Sequence, residues 1–139
     1  MYKILHFIFF TALSVSTCAQ SEAGDSTNSL TEEILELFQV DQKPEFLGGA
    51  DALNLWLREN IKYPPNALKN NVEGKVYITF VVEKDGTLSN IKVLRELGAG
   101  CTAEAVRLVN LMPPWSPGKY LGQNVRVRFT IPIEFKIQL

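Results

Sequence analysis

The chain carries few side chains that could do chemistry. It has one histidine, His6, and two cysteines, Cys18 and Cys101, which are too few for a zinc site built from cysteine and histidine alone. His6 lies in an N-terminal apolar segment that we expect to be removed, so no histidine would remain to activate a nucleophile. We therefore expect no catalytic residue, no metal and no cofactor, and we interpret Cys101 as a buried thiol.

Acidic residues near turns are the remaining candidates for chemistry. Glu45, Glu73 and Asp85 occur singly, and Asp85 with Glu83 lacks the spacing of a calcium-binding EF-hand loop. Solvation at the surface explains them better than general acid–base catalysis. The chain has 14 Lys and Arg against 15 Asp and Glu, without the basic excess of a nucleic-acid binder. This composition predicts a binding module rather than an enzyme, with no nucleic acid as partner.

Residues 1–19 have the pattern of a cleaved signal peptide. The run from Ile4 to Val15 is mostly apolar, and at about 12 residues it is shorter than the ~20 that a membrane-spanning helix needs. Cleavage after Ala19 would release the chain into the periplasm. Alternatively, Val15-Ser16-Thr17-Cys18 resembles a lipoprotein lipobox, and a lipid on Cys18 would anchor the protein to an envelope membrane.

Residues 20–43 are expected to form a polar tether and a short entry segment. Gln20 to Asn28 is polar and has no hydrophobic periodicity, which is typical of a disordered tether. Ser29 or Thr31 could then cap a short helix, whereas the same apolar residues could instead form an extended segment ending at Val40. The pattern does not separate these alternatives, and the folded domain is expected over residues 44–139.

Glycines, prolines and apolar spacing predict the helices. Apolar residues at helical spacing follow Gly48-Gly49 and end near Asn60, and a short helical turn begins at Pro65. Another helix begins at Thr102 or Gly100 and stops before Pro113-Pro114, because proline cannot continue a helix.

Alternation predicts three strands. Strands at about 75–82 and 88–96 are joined by Asp85-Gly86, a hairpin signature, with a bulge expected near Ser89-Asn90. From Val125 to the C-terminus apolar residues occupy every odd position, which predicts one buried and one wet face. Pro132 cannot donate to a sheet ladder, so this strand is expected at a sheet edge.

The expected fold is α+β with two layers. An antiparallel three-stranded sheet, made of the hairpin and the long C-terminal edge strand, packs against two helices. Trp56, Phe80, Val109 and Phe129 are expected to be buried together between the layers.

The order and spacing of these signals resemble the TonB C-terminal domain family. The resemblance is carried by Tyr63-Pro64, Glu73-Gly74-Lys75-Val76, Phe80-Val81-Val82, Asp85-Gly86, Trp115-Ser116-Pro117-Gly118-Lys119 and the strand from Val125 to Phe135. Pro44-Glu45-Phe46 with Gly48-Gly49 is similar to the entry of free-standing members. The chain lacks the long proline-rich spacer of a full transducer, so we expect a free-standing periplasmic protein.

The resemblance implies a binding function in TonB-dependent outer-membrane transport. In the family this domain is the periplasmic end of an energy transducer, which serves an inner-membrane complex and binds a peptide box of outer-membrane receptors by strand addition. We therefore expect the receptor peptide on the last strand, at Val125, Arg126, Val127, Arg128, Phe129, Thr130 and Ile131. Arg126 and Arg128 are expected to deter unwanted sheet pairing and to favour an acidic partner. The alternative is a structural or regulatory cell-envelope protein that uses the same fold for another protein partner.

Overall fold

The computed structural model describes residues 33–138. The predicted signal peptide, the lipidation site at Cys18 and most of the predicted tether lie outside these residues. The described elements are, in chain order, β1 (Ile34–Leu35), α1 (Gly49–Asn60), α2 (Pro65–Lys69), β2 (Gly74–Val82), β3 (Leu88–Arg95), α3 (Cys101–Leu111), β4 (Gly118–Tyr120) and β5 (Gln123–Phe135).

The sheet is built around β5, its longest strand. β5 pairs antiparallel with β2 over Val127 to Phe135, and β2 pairs antiparallel with β3. The two short strands, β1 and β4, also pair with β5, the first in parallel and the second antiparallel. The predicted α+β fold is therefore confirmed, with a sheet that contains these two short strands in addition to the three predicted ones.

The edge position predicted for β5 is only partly correct. The strand order is β1-β5-β2-β3, so β5 has β2 along one side and the two-residue β1 along part of the other. Pro132 pairs opposite Tyr77 within the ladder to β2. The two short strands carry no periodicity that could have revealed this cover in the sequence.

The residues of β1 are extended rather than helical. Ile34 and Leu35 pair with Arg126 and Val127, and a turn follows in which the Gln39 N–H donates to the Glu36 carbonyl over 2.9 Å. The extended alternative for the entry segment therefore holds for residues 34–35, since a helix would have used these main-chain groups internally.

The predicted bulge in β3 is present. Val81 pairs with Ser89, but Thr79, two residues earlier, pairs with Lys92. β3 thus carries one extra residue in this interval, and Asn90 adopts a φ of 48° there. The local change of twist that accompanies a bulge bends β3 along the sheet.

The core lies between one face of the sheet and the helices. Phe80 and Val109 are buried as predicted, whereas Trp56 and Phe129 are only partly buried and pack against the core from its rim. Trp115 joins the cluster, with its ring centroid 5.3 Å from that of Phe80 and 5.2 Å from that of Phe129.

Candidate peptide-binding edge

The seven β5 residues predicted to bind a peptide fall into two groups. Residues 125–127 already pair with β4 or β1. Residues 128–131 pair with β2 only, among the residues that the structure describes. We define the free edge as residues 128–135 of β5, on the side away from β2. The first three predicted residues are engaged within the chain, and peptide binding at the others stays a prediction.

The position of Pro132 shows which main-chain N–H and C=O groups point outward along the free edge. In an antiparallel ladder, alternate residues direct their N–H and C=O groups to the partner and the others direct them to the opposite side. Because proline has no N–H to donate to β2, the main-chain groups of Pro132 and of the other even-numbered residues point away from β2. Consistently, the carbonyl of Phe129 faces β2, where it accepts the Thr79 hydroxyl over 3.2 Å. Thr130 and Glu134 therefore present main-chain donors at the free edge.

A small apolar cluster holds β1 over the start of β5. Leu35 is buried against Val125 and Val127, and Leu37, Val40 and Tyr120 pack around them. Beyond this cluster the carboxylate of Glu36 accepts a hydrogen bond from Arg128 over 2.8 Å. This ion pair marks the point where the cover by the entry segment ends and the free edge begins.

The arginines of β5 are engaged within the chain. Arg126 donates to Glu83 over 2.8 Å, and Arg128 pairs with Glu36. The hydrogen bond from Arg126 holds the pKa of Glu83 below its usual range, since it stabilises the charged carboxylate. The expected attraction of these arginines for an acidic partner is therefore offset by acids of the same chain, which lie far away in sequence.

A groove lies between α1 and the second half of β5, with a volume of about 580 Å³. Leu57 and Arg58 of α1, with Ile61 just after the helix, form one side, and Pro132, Ile133 and Glu134 form the strand side. Lys75 and Lys136 complete its charged lining. Sequence reasoning missed this groove, because it arises where segments more than seventy residues apart pack together.

Further observations on the described residues concern Cys101, metal ligands and membrane-spanning helices. Cys101 is buried, as predicted, and burial raises the pKa of its thiol. Within residues 33–138, no group of three or more His, Cys, Asp and Glu side chains could hold a metal ion. No helix in the same range has the length and apolar character needed to cross a membrane.

The fold and its family agree. The chain has the form of a small α+β domain with an exposed sheet edge, and a family model described as the C-terminal domain of the Gram-negative bacterial TonB protein matches residues 59–137. This match covers more than half of the chain. The chain therefore belongs to the TonB C-terminal domain family.

Solved structures to which the chain is similar include TonB C-terminal domains of two bacteria. The TonB C-terminal domain of Helicobacter pylori (residues 179–285) is 21% identical with a TM-score of 0.47, and the match covers 63% of this chain and 78% of that one. The TonB C-terminal domain of Pseudomonas aeruginosa is 23% identical with a TM-score of 0.48, and the match covers 77% of this chain and 97% of that one. A comparison with curated proteins returned no match.

The family match begins near the end of α1. It starts at residue 59, whereas α1 extends from Gly49 to Asn60. Most of α1 and all of β1 therefore precede the matched region. Of the groove residues near the end of α1, Leu57 and Arg58 precede the matched region and Ile61 lies within it.

Proposed function

We propose that this chain is a periplasmic binding module of TonB-dependent outer-membrane transport. It captures the N-terminal peptide box of an outer-membrane receptor as an added strand on the free edge of β5. Membership of the TonB C-terminal domain family supports the class of function. The observation that carries the binding mode is that β5 pairs with no strand on its outer side beyond residue 127, within the described part of the chain.

The free edge has a suitable length for a short peptide. At about 3.3 Å per residue, residues 128–135 provide roughly 26 Å of strand. Each main-chain hydrogen bond contributes only ~1 kcal/mol net, because both groups give up bonds to water. A peptide of five or six residues would therefore bind modestly and exchange rapidly, as a transient transport contact requires.

We propose no catalytic reaction for this protein. TonB C-terminal domains are non-enzymatic domains for energy transduction and binding, and we propose the same role here, without a catalytic residue or cofactor. Recognition then depends on main-chain groups of β5 and on the side chains that border them.

The Thr130→Pro substitution tests strand addition. Thr130 is exposed, and proline there would remove an outward N–H while leaving the buried face of β5 intact. We expect the affinity for synthetic peptides that copy receptor N-termini to fall about tenfold, from the lost bond and local distortion. Isothermal titration calorimetry measures the affinity, and circular dichroism checks that the variant is folded.

Thr130→Ala is the matched control, because it removes the same side chain but keeps the N–H. We expect its affinity to remain near that of the unmodified protein. A folded Thr130→Pro protein that binds these peptides as well as Thr130→Ala does would place the peptide elsewhere.

A further inference from the structure

We infer that the receptor peptide extends past the free edge and takes the place of β1 on residues 126–128 of β5, which we call the head of β5. An apolar side chain of the peptide replaces Leu35, and an acidic side chain replaces Glu36. This inference rests on the proposed strand addition and adds the chemistry of the partner. The occupant is an extended receptor segment in which an apolar residue precedes an acidic one.

β1 is itself a strand added to the outer side of β5. Its two residues pair in parallel with Arg126 and Val127, on the side of β5 away from β2. The proposed peptide would lie on the same side. The chain therefore already uses strand addition at the head of β5, through main-chain groups that any extended peptide also has.

The side chains of this segment show what the head accepts on each face of the sheet. Leu35 lies opposite Val127, and both are buried in the small apolar cluster. The next residue, Glu36, points to the other face, because side chains alternate along a strand. There its carboxylate accepts a hydrogen bond from Arg128 over 2.8 Å. The head thus takes an apolar side chain on one face and an acid on the other.

Few contacts hold this segment on β5. Within residues 33–40, Leu35 is the only side chain that is buried. The ion pair lies at the surface, with the side chain of Arg128 50% and that of Glu36 41% exposed, and exposed pairs contribute little to stability. A strand of two residues with one buried side chain opens more readily than the core strands do. A peptide that supplies equivalent side chains can therefore replace it.

The course of the chain after β1 shows how one peptide can use both the head and the free edge. After Glu36 the chain turns, and the Gln39 N–H donates to the Glu36 carbonyl. The chain is next held at Asp41, whose N–H donates to the Lys119 carbonyl over 2.9 Å. A peptide that starts as β1 does but stays extended would lie along residues 126–135 without a break. Release of residues 33–40 would leave the anchor at Asp41 intact.

A labelled peptide serves as the probe. Its sequence is Thr-Ile-Leu-Glu-Val-Thr-Val-Thr, with fluorescein at the N-terminus and an amide at the C-terminus. The Ile-Leu-Glu triplet copies residues 34–36, and the two valines share a face with the leucine. A second probe carries Gln in place of Glu. Fluorescence anisotropy measures the dissociation constant of each probe.

A reversible cross-link tests the replacement of β1. Ile34→Cys with Arg126→Cys, in a Cys18→Ser protein, places thiols at two paired positions. Neighbouring strands lie about 4.8 Å apart, which a disulfide can span, and Cys101 is buried and should not compete. We expect the oxidised form to bind the Glu probe about tenfold more weakly than the reduced form, because the cross-link keeps β1 on the head. Peptide mapping by mass spectrometry confirms the cross-link, and the reduced form is the control.

The Glu and Gln probes test the exchange at Arg128. We expect the unmodified protein to bind the Glu probe about two- to threefold more tightly, the scale of an exposed charge pair. Arg128→Gln should bring this ratio close to one. Arg95→Gln is the control, because Arg95 is exposed on β3, at the opposite edge of the sheet, and should leave the ratio unchanged.

Leu35→Ser tests the replacement of β1 without a cross-link. It removes the buried side chain that holds β1, so we expect the affinity for the Glu probe to rise about three- to fivefold. Phe38→Ser is the matched control, since Phe38 lies in the same segment but is exposed, and it should leave the affinity unchanged. Circular dichroism checks that both variants are folded.

The outcomes separate this inference from the proposed function. Equal affinity of the oxidised and reduced forms, no gain in Leu35→Ser, or equal binding of the two probes to the unmodified protein would each overturn the inference. If the Glu probe still bound Thr130→Pro more weakly than Thr130→Ala in that case, strand addition would stand. Probes that fail to bind, or that bind equally well to Thr130→Pro and Thr130→Ala, would count against both.

Discussion

At the scale of single residues, the buried carboxylate of Glu104 connects the end of α1 to α3 through hydrogen bonds. Glu104 of α3 accepts the Lys62 main-chain N–H over 2.7 Å and a hydrogen bond from Arg107, also over 2.7 Å. Arg107 in turn donates to the Asn60 carbonyl at the end of α1 over 2.9 Å. This cluster fixes the end of α1, and with it the wall of the groove.

The Glu104→Gln substitution should flatten the pH dependence of stability. The hydrogen bond from Arg107, with help from the Lys62 N–H, holds the pKa of Glu104 below its usual range despite burial. A carboxyl whose pKa is lower in the folded state stabilises the fold above its unfolded pKa and loses that effect as pH falls through the folded value. We expect Glu104→Gln to cost about 1–3 kcal/mol at pH 7 and less as pH falls below about 4.

Urea unfolding at a series of pH values measures this difference. Glu59→Gln, on the exposed surface of α1, is the control and should follow the unmodified protein. An equal loss for Glu104→Gln at pH 7 and at pH 3 would show that the charge of Glu104 does not matter to the fold.

At the scale of elements, local signals predicted the long segments and missed the short ones. Gly49 and Asn60 bound α1 because of the glycine pair before it and the prolines after it. The alternation in β5 predicted its buried face because a side-chain period of two is a local property. By contrast, β1 and β4 have only two and three residues. The pairing of β1 depends on contacts with residues far along the chain. The same holds for the pairing of β1 with Arg126 and Val127, which local signals could not predict.

The Asp85-Gly86 turn provides a prediction at this scale. Gly86 has a φ of 86°, and a Cβ built there would lie 1.9 Å from the Trp115 carbonyl oxygen. The Trp115 N–H also donates to the Gly86 carbonyl over 2.8 Å, so neither segment can move away freely. We expect Gly86→Ala to lower the free energy of unfolding by more than about 2 kcal/mol, from clash and backbone strain.

Gly98→Ala is the matched control for this turn. A Cβ at Gly98 would have no atom within 4 Å, so this change should be close to neutral. Chemical denaturation compares the two variants, and equal stability would mean that the turn does not hold Trp115 in place.

At the scale of the whole molecule, binding features gather on one side of β5. The entry segment covers the start of the strand, the free edge follows from residue 128, and the groove borders its second half. The sequence predicted the strand and, through its resemblance, the family. It could not predict that Arg126 and Arg128 are paired, because Glu83 and Glu36 reach them only in the fold.

Amide hydrogen exchange tests strand addition most directly. NMR would follow individual main-chain amides of the protein with and without a synthetic receptor N-terminal peptide at saturating concentration. We expect the peptide to slow exchange at Thr130 and Glu134, since their N–H groups would gain carbonyl partners. Slowed exchange along β3, the opposite edge of the sheet, with no change at Thr130 and Glu134, would contradict it.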